Sequence, residues 1–182
     1  VSQEVQPDRP AQERVMAEID KFIIMEDDIP RDGGRYPEYT YTFLIGLQSF
    51  AGGIARGYVK SFHVEKLLFF RGLDQMIFIM EDIMDAVGVP MRGRAPRSLA
   101  CKPDKDAVPV PFVDLRGKIK KEYDFEREVL RGFPVYPAAS VRVAGRQDAG
   151  MQGIFRSEYG DVGFRSGVEL MRLMYELFAK MC

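Results

Sequence analysis

The chain is short of the residues on which most enzyme chemistry depends. Its 182 residues include one histidine, two cysteines and no tryptophan. His63 stands alone between two predicted strands, and no Cys/His cluster has metal-ligand spacing. A phosphate-binding Gly-x-x-x-x-Gly-Lys-Ser/Thr loop and a Gly-x-Ser-x-Gly nucleophile elbow are also missing. The sequence therefore predicts a protein that is not an enzyme, with no catalytic residue, no metal site and no cofactor.

Long apolar runs and a large net charge are absent as well. No apolar stretch approaches the roughly 18 residues of a membrane span, and residues 1–14 are polar, without the apolar core of a signal peptide. Cys101 and Cys182 lie far apart, which is typical of free thiols in a reducing compartment. The net charge is −1. We expect no membrane contact and a cytoplasmic location.

Turn residues and apolar spacing predict two similar series of elements. In the first half they are three strands and a helix, over Tyr39–Leu47, Ile54–Phe62, His63–Phe70 and Leu73–Val87. In the second half they are three strands over Val135–Ala144, Met151–Ser157 and Val162–Phe164, then a helix from Ser166. Ser166 and Glu169 have the spacing of a capping box.

The two halves also match in sequence. Gly57-Tyr58-Val59-Lys60-Ser61 corresponds to Gly153-Ile154-Phe155-Arg156-Ser157, and Phe70-Arg71-Gly72 corresponds to Phe164-Arg165-Ser166. Chance similarity between two hairpin-plus-helix segments is the alternative. The fold predicted is α+β, with two pseudo-repeated β-β-β-α units, a mainly antiparallel sheet and each helix packed on a sheet face.

These units set the predicted domain boundaries. We expect a flexible tail at residues 1–14, a first unit with an N-terminal extension at 15–88, a proline-rich basic linker at 89–111 and a second unit at 112–182. Two stretches remain ambiguous. Residues 11–25 fit a helix that runs into a short strand, and Phe112–Val129 fits either an exposed helix or a strand.

Charge is distributed unevenly along the chain. Val1–Thr40 holds ten acids and five bases, whereas Arg92–Lys121 holds nine bases and three acids. The basic segment is expected either to bind a phosphate backbone or to be a solvated linker. Its candidate nucleic-acid-binding or partner-binding residues are Arg92, Arg94, Arg97, Arg116, Lys118, Lys120 and Lys121.

Acidic residues form further candidate groups. Glu26, Asp27 and Asp28 are predicted to bind a partner, and a metal-dependent enzyme built on them is a third, weaker alternative. Glu81 and Asp85 share a face of the first helix, for which a solvated surface is the preferred interpretation.

The second helix has a second apolar stripe. Met171, Tyr175 and Phe178 follow one another at i, i+4 and i+7. The stripe is expected either to be buried between the two units or to form a self-association surface of a homodimer.

Phe164-Arg165-Ser166 leading into Glu169-Leu170 is similar to a small protein family of gut Firmicutes. Across residues 20–182, the chain resembles in size and character the type II anti-CRISPR proteins of gut bacteria and their phages. This resemblance implies an inhibitor that binds the RNA-guided effector nuclease, with DNA as a further partner, in the cytoplasm of the bacterial host cell. The alternative is a nucleic-acid-binding or regulatory module that uses the basic segment.

Overall fold

The computed structural model describes residues 42–88, 90–93, 110–119, 133–147 and 150–182. The predicted tail, the helix-or-strand segment at 11–25, most of the proline-rich linker and residues 120–132 lie outside the described residues. The domain boundaries that fall in these stretches are therefore predictions still.

Six strands and two helices make up the described part of the chain. In chain order the elements are β1 (Thr42–Ala51), β2 (Ile54–Ser61), β3 (Leu68–Arg71), α1 (Leu73–Val87), β4 (Pro137–Gly145), β5 (Gln152–Ser157), β6 (Gly160–Phe164) and α2 (Gly167–Met181). All six strands form one antiparallel sheet in the order β3-β2-β1-β4-β5-β6. The fold is thus α+β, as the sequence predicts.

Both helices pack on the same face of this sheet. Their buried side chains join one hydrophobic core with the inward residues of the strands, for example Ile45, Val141 and Phe155. Met80 of α1 and Met174 of α2 are both fully buried in this core. One core therefore contains residues of both halves of the chain.

The strand pairings of the two halves correspond in register. Leu47 pairs with Gly57 and Ile45 with Val59, while Val143 pairs with Gly153 and Val141 with Phe155. The central strands meet with Phe43 opposite Val141 and Ile45 opposite Ala139, so that the Leu44–Ser140 pair lies in the middle. The register shifts after Leu47 in β1 and after Val143 in β4, which are the corresponding positions.

Glycines and a capping serine set several element ends. Gly52 and Gly53 both have positive φ, as a two-residue hairpin turn requires, and they join β1 to β2. Gly88 adopts the left-handed conformation and closes α1. Ser166 Oγ accepts a hydrogen bond from Glu169 N at 3.2 Å, which confirms the predicted cap. The Glu169 carboxylate accepts from Arg165 N rather than from Ser166 N, so the second half of the capping box differs from the expectation.

Two sequence predictions of secondary structure were wrong. The third strand is only Leu68–Arg71, because His63 lies in a turn and Val64 makes an isolated bridge with Ile119. Residues 112–119 form neither the helix nor the strand expected there, and contain a turn at Arg116-Gly117-Lys118. Gly117 has a φ of 69°, which interrupts both kinds of regular backbone.

Candidate functional site

The face of the sheet away from the helices is rich in basic residues. Ala55, Val59 and Phe70 belong to the core, so the residues alternating with them project to the opposite side. The basic side chains that the strands place on this side are Arg56, Lys60, Arg71, Arg142 and Arg156. Asp161, opposite Arg156, is the one acid that the described strands contribute to the same side. Alternation in the strands thus brings five cations to one side of the sheet. Lys60 and Arg156 are buried there, Arg142 is half-buried, and Arg156 pairs with Asp161 at 3.1 Å, which leaves Arg56 and Arg71 as the exposed members.

Near the middle of this face, polar groups already have partners. The Tyr58 ring lies over Gly46, and its hydroxyl donates to Val135 O at 2.5 Å. Burial raises the pKa of this phenol well above its ordinary value. Lys60 Nζ donates to Val64 O and Glu65 O. Lys60 is therefore occupied by the chain itself.

The β2–β3 edge differs, because two cations there are exposed side by side. Arg56 and Arg71 are directly opposed across the strand pair, and both side chains are exposed. Neither guanidinium forms an ion pair within the described ranges of the chain. Opposed like charges weaken a strand pair, so this arrangement has a cost that an anion bound between the two would relieve.

An exposed aromatic ring stands beside these two arginines. Phe69 precedes Arg71 by two residues on the same side of β3, and its side chain is 57% exposed. The ring packs edge-on against Tyr58, with ring centroids 6.5 Å apart. We name the set Arg56, Phe69 and Arg71 the basic edge.

Arg92, predicted as part of a basic arm, lies instead in an ion-pair cluster with α1. It contacts Asp85 at 2.7 Å and Glu81 at 2.5 Å. Arg146, whose side chain is 3% exposed, contacts the same two acids and donates to Pro90 O at 2.8 Å. The prediction of a solvated acidic face thus holds for Asp85, whose side chain is 43% exposed, but not for Glu81, which is 17% exposed. The charge of Arg92 is neutralised within the chain.

The pKa values of the two acids of this cluster are shifted in opposite directions. Burial raises the pKa of Glu81 by more than Arg92 and Arg146 lower it. At Asp85 burial acts in the same direction, but hydrogen bonds from Arg92 and Arg146 outweigh it, so the pKa lies below its ordinary value. The cluster fastens α1 to the end of β4 and to residues 90–93, which is a structural role.

Residues 110–119 lie against the outer side of α1. The Phe112 ring stacks on Phe78 with centroids 6.1 Å apart, and Asp82 Oδ2 accepts from Val113 N. Open grooves of about 470 Å³ and about 380 Å³ flank the segment. The charged residues that line the larger groove are Asp82, Asp85, Asp114 and Arg116.

Two more residues of the predicted basic arm belong to this segment. Arg116 is almost fully exposed but pairs with Asp114 at 2.9 Å, and this hydrogen bond holds the pKa of Asp114 well below its ordinary value. Lys118 Nζ donates to Asp114 O at 2.7 Å. The remaining predicted binding residues lie outside the described residues, and they are Glu26, Asp27, Asp28, Arg94, Arg97, Lys120 and Lys121.

The three residues predicted for self-association do not share one surface. Phe178 is fully buried, and its ring packs against Phe50, so it is not available to a second copy. Tyr175 is 49% exposed and rests edge-on against Phe50, while Met171 is half-buried. Burial in the core, the alternative that the sequence left open, accounts for Phe178.

His63 is buried at the end of β2, and its Nδ1 has no hydrogen-bond partner in the part of the chain that the structure describes. Burial lowers the pKa of this imidazole. No group of three or more His, Cys, Asp or Glu residues that could hold a metal ion occurs among the described residues. None of the described helices is long and apolar enough to cross a membrane.

The basic edge was not predicted from the sequence. The signal was present as an alternation, because Arg56, Tyr58 and Lys60 fall on one side of a strand while Phe69 and Arg71 fall on one side of the next. Finding it required the register between β2 and β3, which opposes Arg56 to Arg71.

Comparisons with known proteins leave the family open. No family model matches the chain, and neither the curated proteins nor the solved structures include one with significant similarity to it.

Proposed function

We propose that this chain is a non-enzymatic binding protein whose partner contains nucleic acid. The observation that carries the proposal is the pair Arg56 and Arg71, which lie directly opposed and exposed on the helix-free side of the sheet. An anionic partner would relieve their repulsion and release counterions. The acids of α1, by contrast, lie on the helix side, where Arg92 and Arg146 neutralise Glu81 and Asp85.

We also propose that the scaffold is a duplicated β-β-β-α unit. Equivalent residues in the two halves make equivalent contacts. Ser61 and Ser157 each accept from the backbone N–H two residues later. Arg71 N and Arg165 N each donate to the side chain four residues later. Together with the corresponding registers and register shifts, these matches favour a common origin over chance.

In its specific form, the proposal is an inhibitor of an RNA-guided nuclease. The support is the resemblance to type II anti-CRISPR proteins and the basic edge, which suits a complex of protein, guide RNA and target DNA. Such an inhibitor acts by occupying a surface that the nuclease needs.

Target cleavage by a purified effector–guide complex tests this form. With increasing amounts of the chain, cleavage should stop at close to one equivalent. Unchanged cleavage at large molar excess would refute the inhibitor role for the nuclease tested. The doubly substituted protein Arg56→Ala/Arg71→Ala should inhibit less well, whereas Arg116→Ala, which removes an exposed arginine already paired with Asp114, serves as the control.

Binding through the basic segment is the alternative form. Its members within the described residues are Arg92, Arg116 and Lys118, and the neutralised charge of Arg92 weakens it. It predicts salt-sensitive duplex binding that falls when Arg116, Lys118, Lys120 and Lys121 are all replaced by alanine. Absence of duplex binding at low salt would exclude it.

A further inference from the structure

We infer that the basic edge is a subsite for single-stranded nucleic acid, in which Arg56 and Arg71 hold the backbone phosphate and Phe69 stacks on a base. This inference rests on the proposed function, because it names the component of the partner that the basic edge contacts. It is carried by the cross-strand pair of exposed arginines and by the exposed ring next to them.

The first step is the pairing of the arginines. Side chains directly opposed in an antiparallel pair have Cβ atoms about 5 Å apart. Two guanidinium groups at that separation can converge on one phosphate, to which they offer several N–H donors. No acid within the described residues pairs with either group, so both are available to a ligand.

The second step is the position of the ring. Phe69 lies two residues along β3 from Arg71, on the same side of the sheet. Tyr58 supports one edge of the ring, and more than half of the Phe69 side chain remains exposed. Aromatic rings on a sheet beside a basic groove are a recurrent platform for unpaired bases, because every base has a face that can stack.

The third step is the choice between single strand and duplex. The bases of a duplex are stacked on one another, so they have no free face on which the ring of Phe69 could stack. A surface that combines phosphate-binding cations with a half-exposed ring therefore favours a single strand. An acidic protein surface would use the arginines but gain little from the ring.

The second half of the chain supplies a matched control. Its residue equivalent to Arg71 is Arg165, which is also exposed and follows β6. In the same correspondence, Gln152 stands in place of Arg56 and Gly163 in place of Phe69. Arg165 thus has the same charge at the matched position without the second cation or the ring.

Fluorescence anisotropy with a labelled strand of about ten deoxythymidines tests the subsite. The strand and a hairpin duplex rich in G·C pairs, which stays paired at low salt, are titrated against the full chain over a series of salt concentrations. The variants are Arg56→Ala, Arg71→Ala, Phe69→Leu and Arg165→Ala, each checked for an unchanged urea midpoint.

The two kinds of residue should leave different signatures. Loss of Arg56 or Arg71 should weaken binding and reduce the slope of log K against log salt by about 0.7. Phe69→Leu should weaken single-strand binding about tenfold and leave that slope unchanged. Arg165→Ala should bind as the wild type does, and the duplex should bind more weakly than the single strand.

Other results would overturn the inference. It fails if the wild type does not bind the strand at low salt, if Arg165→Ala weakens binding as much as Arg71→Ala, or if duplex and single strand bind equally and Phe69→Leu has no effect. Nuclease inhibition measured on the same proteins separates the two proposals. Inhibition by all four variants without strand binding would refute the subsite and support the inhibitor role. Strand binding with the expected slopes but without inhibition would support the subsite and refute the inhibitor role.

Discussion

Gly57 and Gly153 provide a test of whether the two halves are built in the same way. A Cβ added at Gly57 would collide with Gly46 O and lie 2.9 Å from Phe70 Cζ. A Cβ added at Gly153 would collide with Arg142 O and lie 3.0 Å from Phe164 Cζ. Each glycine thus lets a neighbouring strand approach on one side and a phenylalanine ring on the other.

The expected cost of alanine follows from these neighbours. The obstructing atom is a backbone oxygen in both cases, so relief requires the strands to separate rather than a side chain to rotate. Overpacking of this kind costs about 1–3 kcal/mol, and a weakened ladder hydrogen bond adds about 1 kcal/mol. We therefore expect Gly57→Ala and Gly153→Ala each to lower the free energy of unfolding by about 3 kcal/mol, which corresponds to a fall in Tm of roughly 6–12 °C.

Urea unfolding followed by circular dichroism measures the change. Gly145→Ala is the matched control, because it also lies in a strand and no atom falls within 4 Å of its added Cβ. It should change the free energy of unfolding by less than about 0.5 kcal/mol. A large effect of only one of the two buried substitutions, or an equally large effect of the control, would contradict a shared construction of the two halves.

Three further predictions concern other parts of the structure. Arg146→Met should lower the free energy of unfolding in urea by about 2 kcal/mol, because it removes a buried cation from two acids, Glu81 and Asp85, of which only Asp85 is partly exposed. Arg116→Met, which breaks an exposed pair, should not move the urea midpoint. Since burial lowers the pKa of His63 in the folded state, the unfolded chain takes up this proton first, and stability should fall as the pH drops below about 6.5. His63→Leu should flatten this part of the stability profile between pH 7 and 5, and an unchanged slope would contradict the assignment. Ser166→Ala should cost about 1 kcal/mol through loss of the helix cap, and thermal unfolding that shows no change would indicate that the hydroxyl is dispensable.

Much of the element order could be predicted from the sequence, since local patterns determine it. Leu73–Val87 was predicted with the observed bounds, because apolar spacing and Gly88 are both local signals. The Gly52-Gly53 turn was equally accessible, because positive φ at both positions favours glycine. The third strand was predicted too long, because the local pattern of His63–Phe70 does not show that Val64 pairs with Ile119 rather than with β2.

The candidate site was harder to predict, because it depends on which residues meet across strands. Charge counts along the chain pointed to Arg92, whose charge is neutralised by two acids that precede it on α1. The same counts passed over Arg56 and Arg71, since Arg56 shares its strand with only one other base, Lys60, and Arg71 is the one base of its strand. A one-dimensional charge pattern cannot separate a cation with a nearby acid from a cation opposed to another cation.

The pairing of β1 with β4 has a consequence for how the chain folds. The outer hairpins of the sheet are local in sequence, whereas Phe43 and Val141 come from opposite halves of the chain. Closing so long a loop is entropically costly and must precede the contacts that repay it. Folding should therefore pass through early hairpins and a late, rate-limiting meeting of the halves.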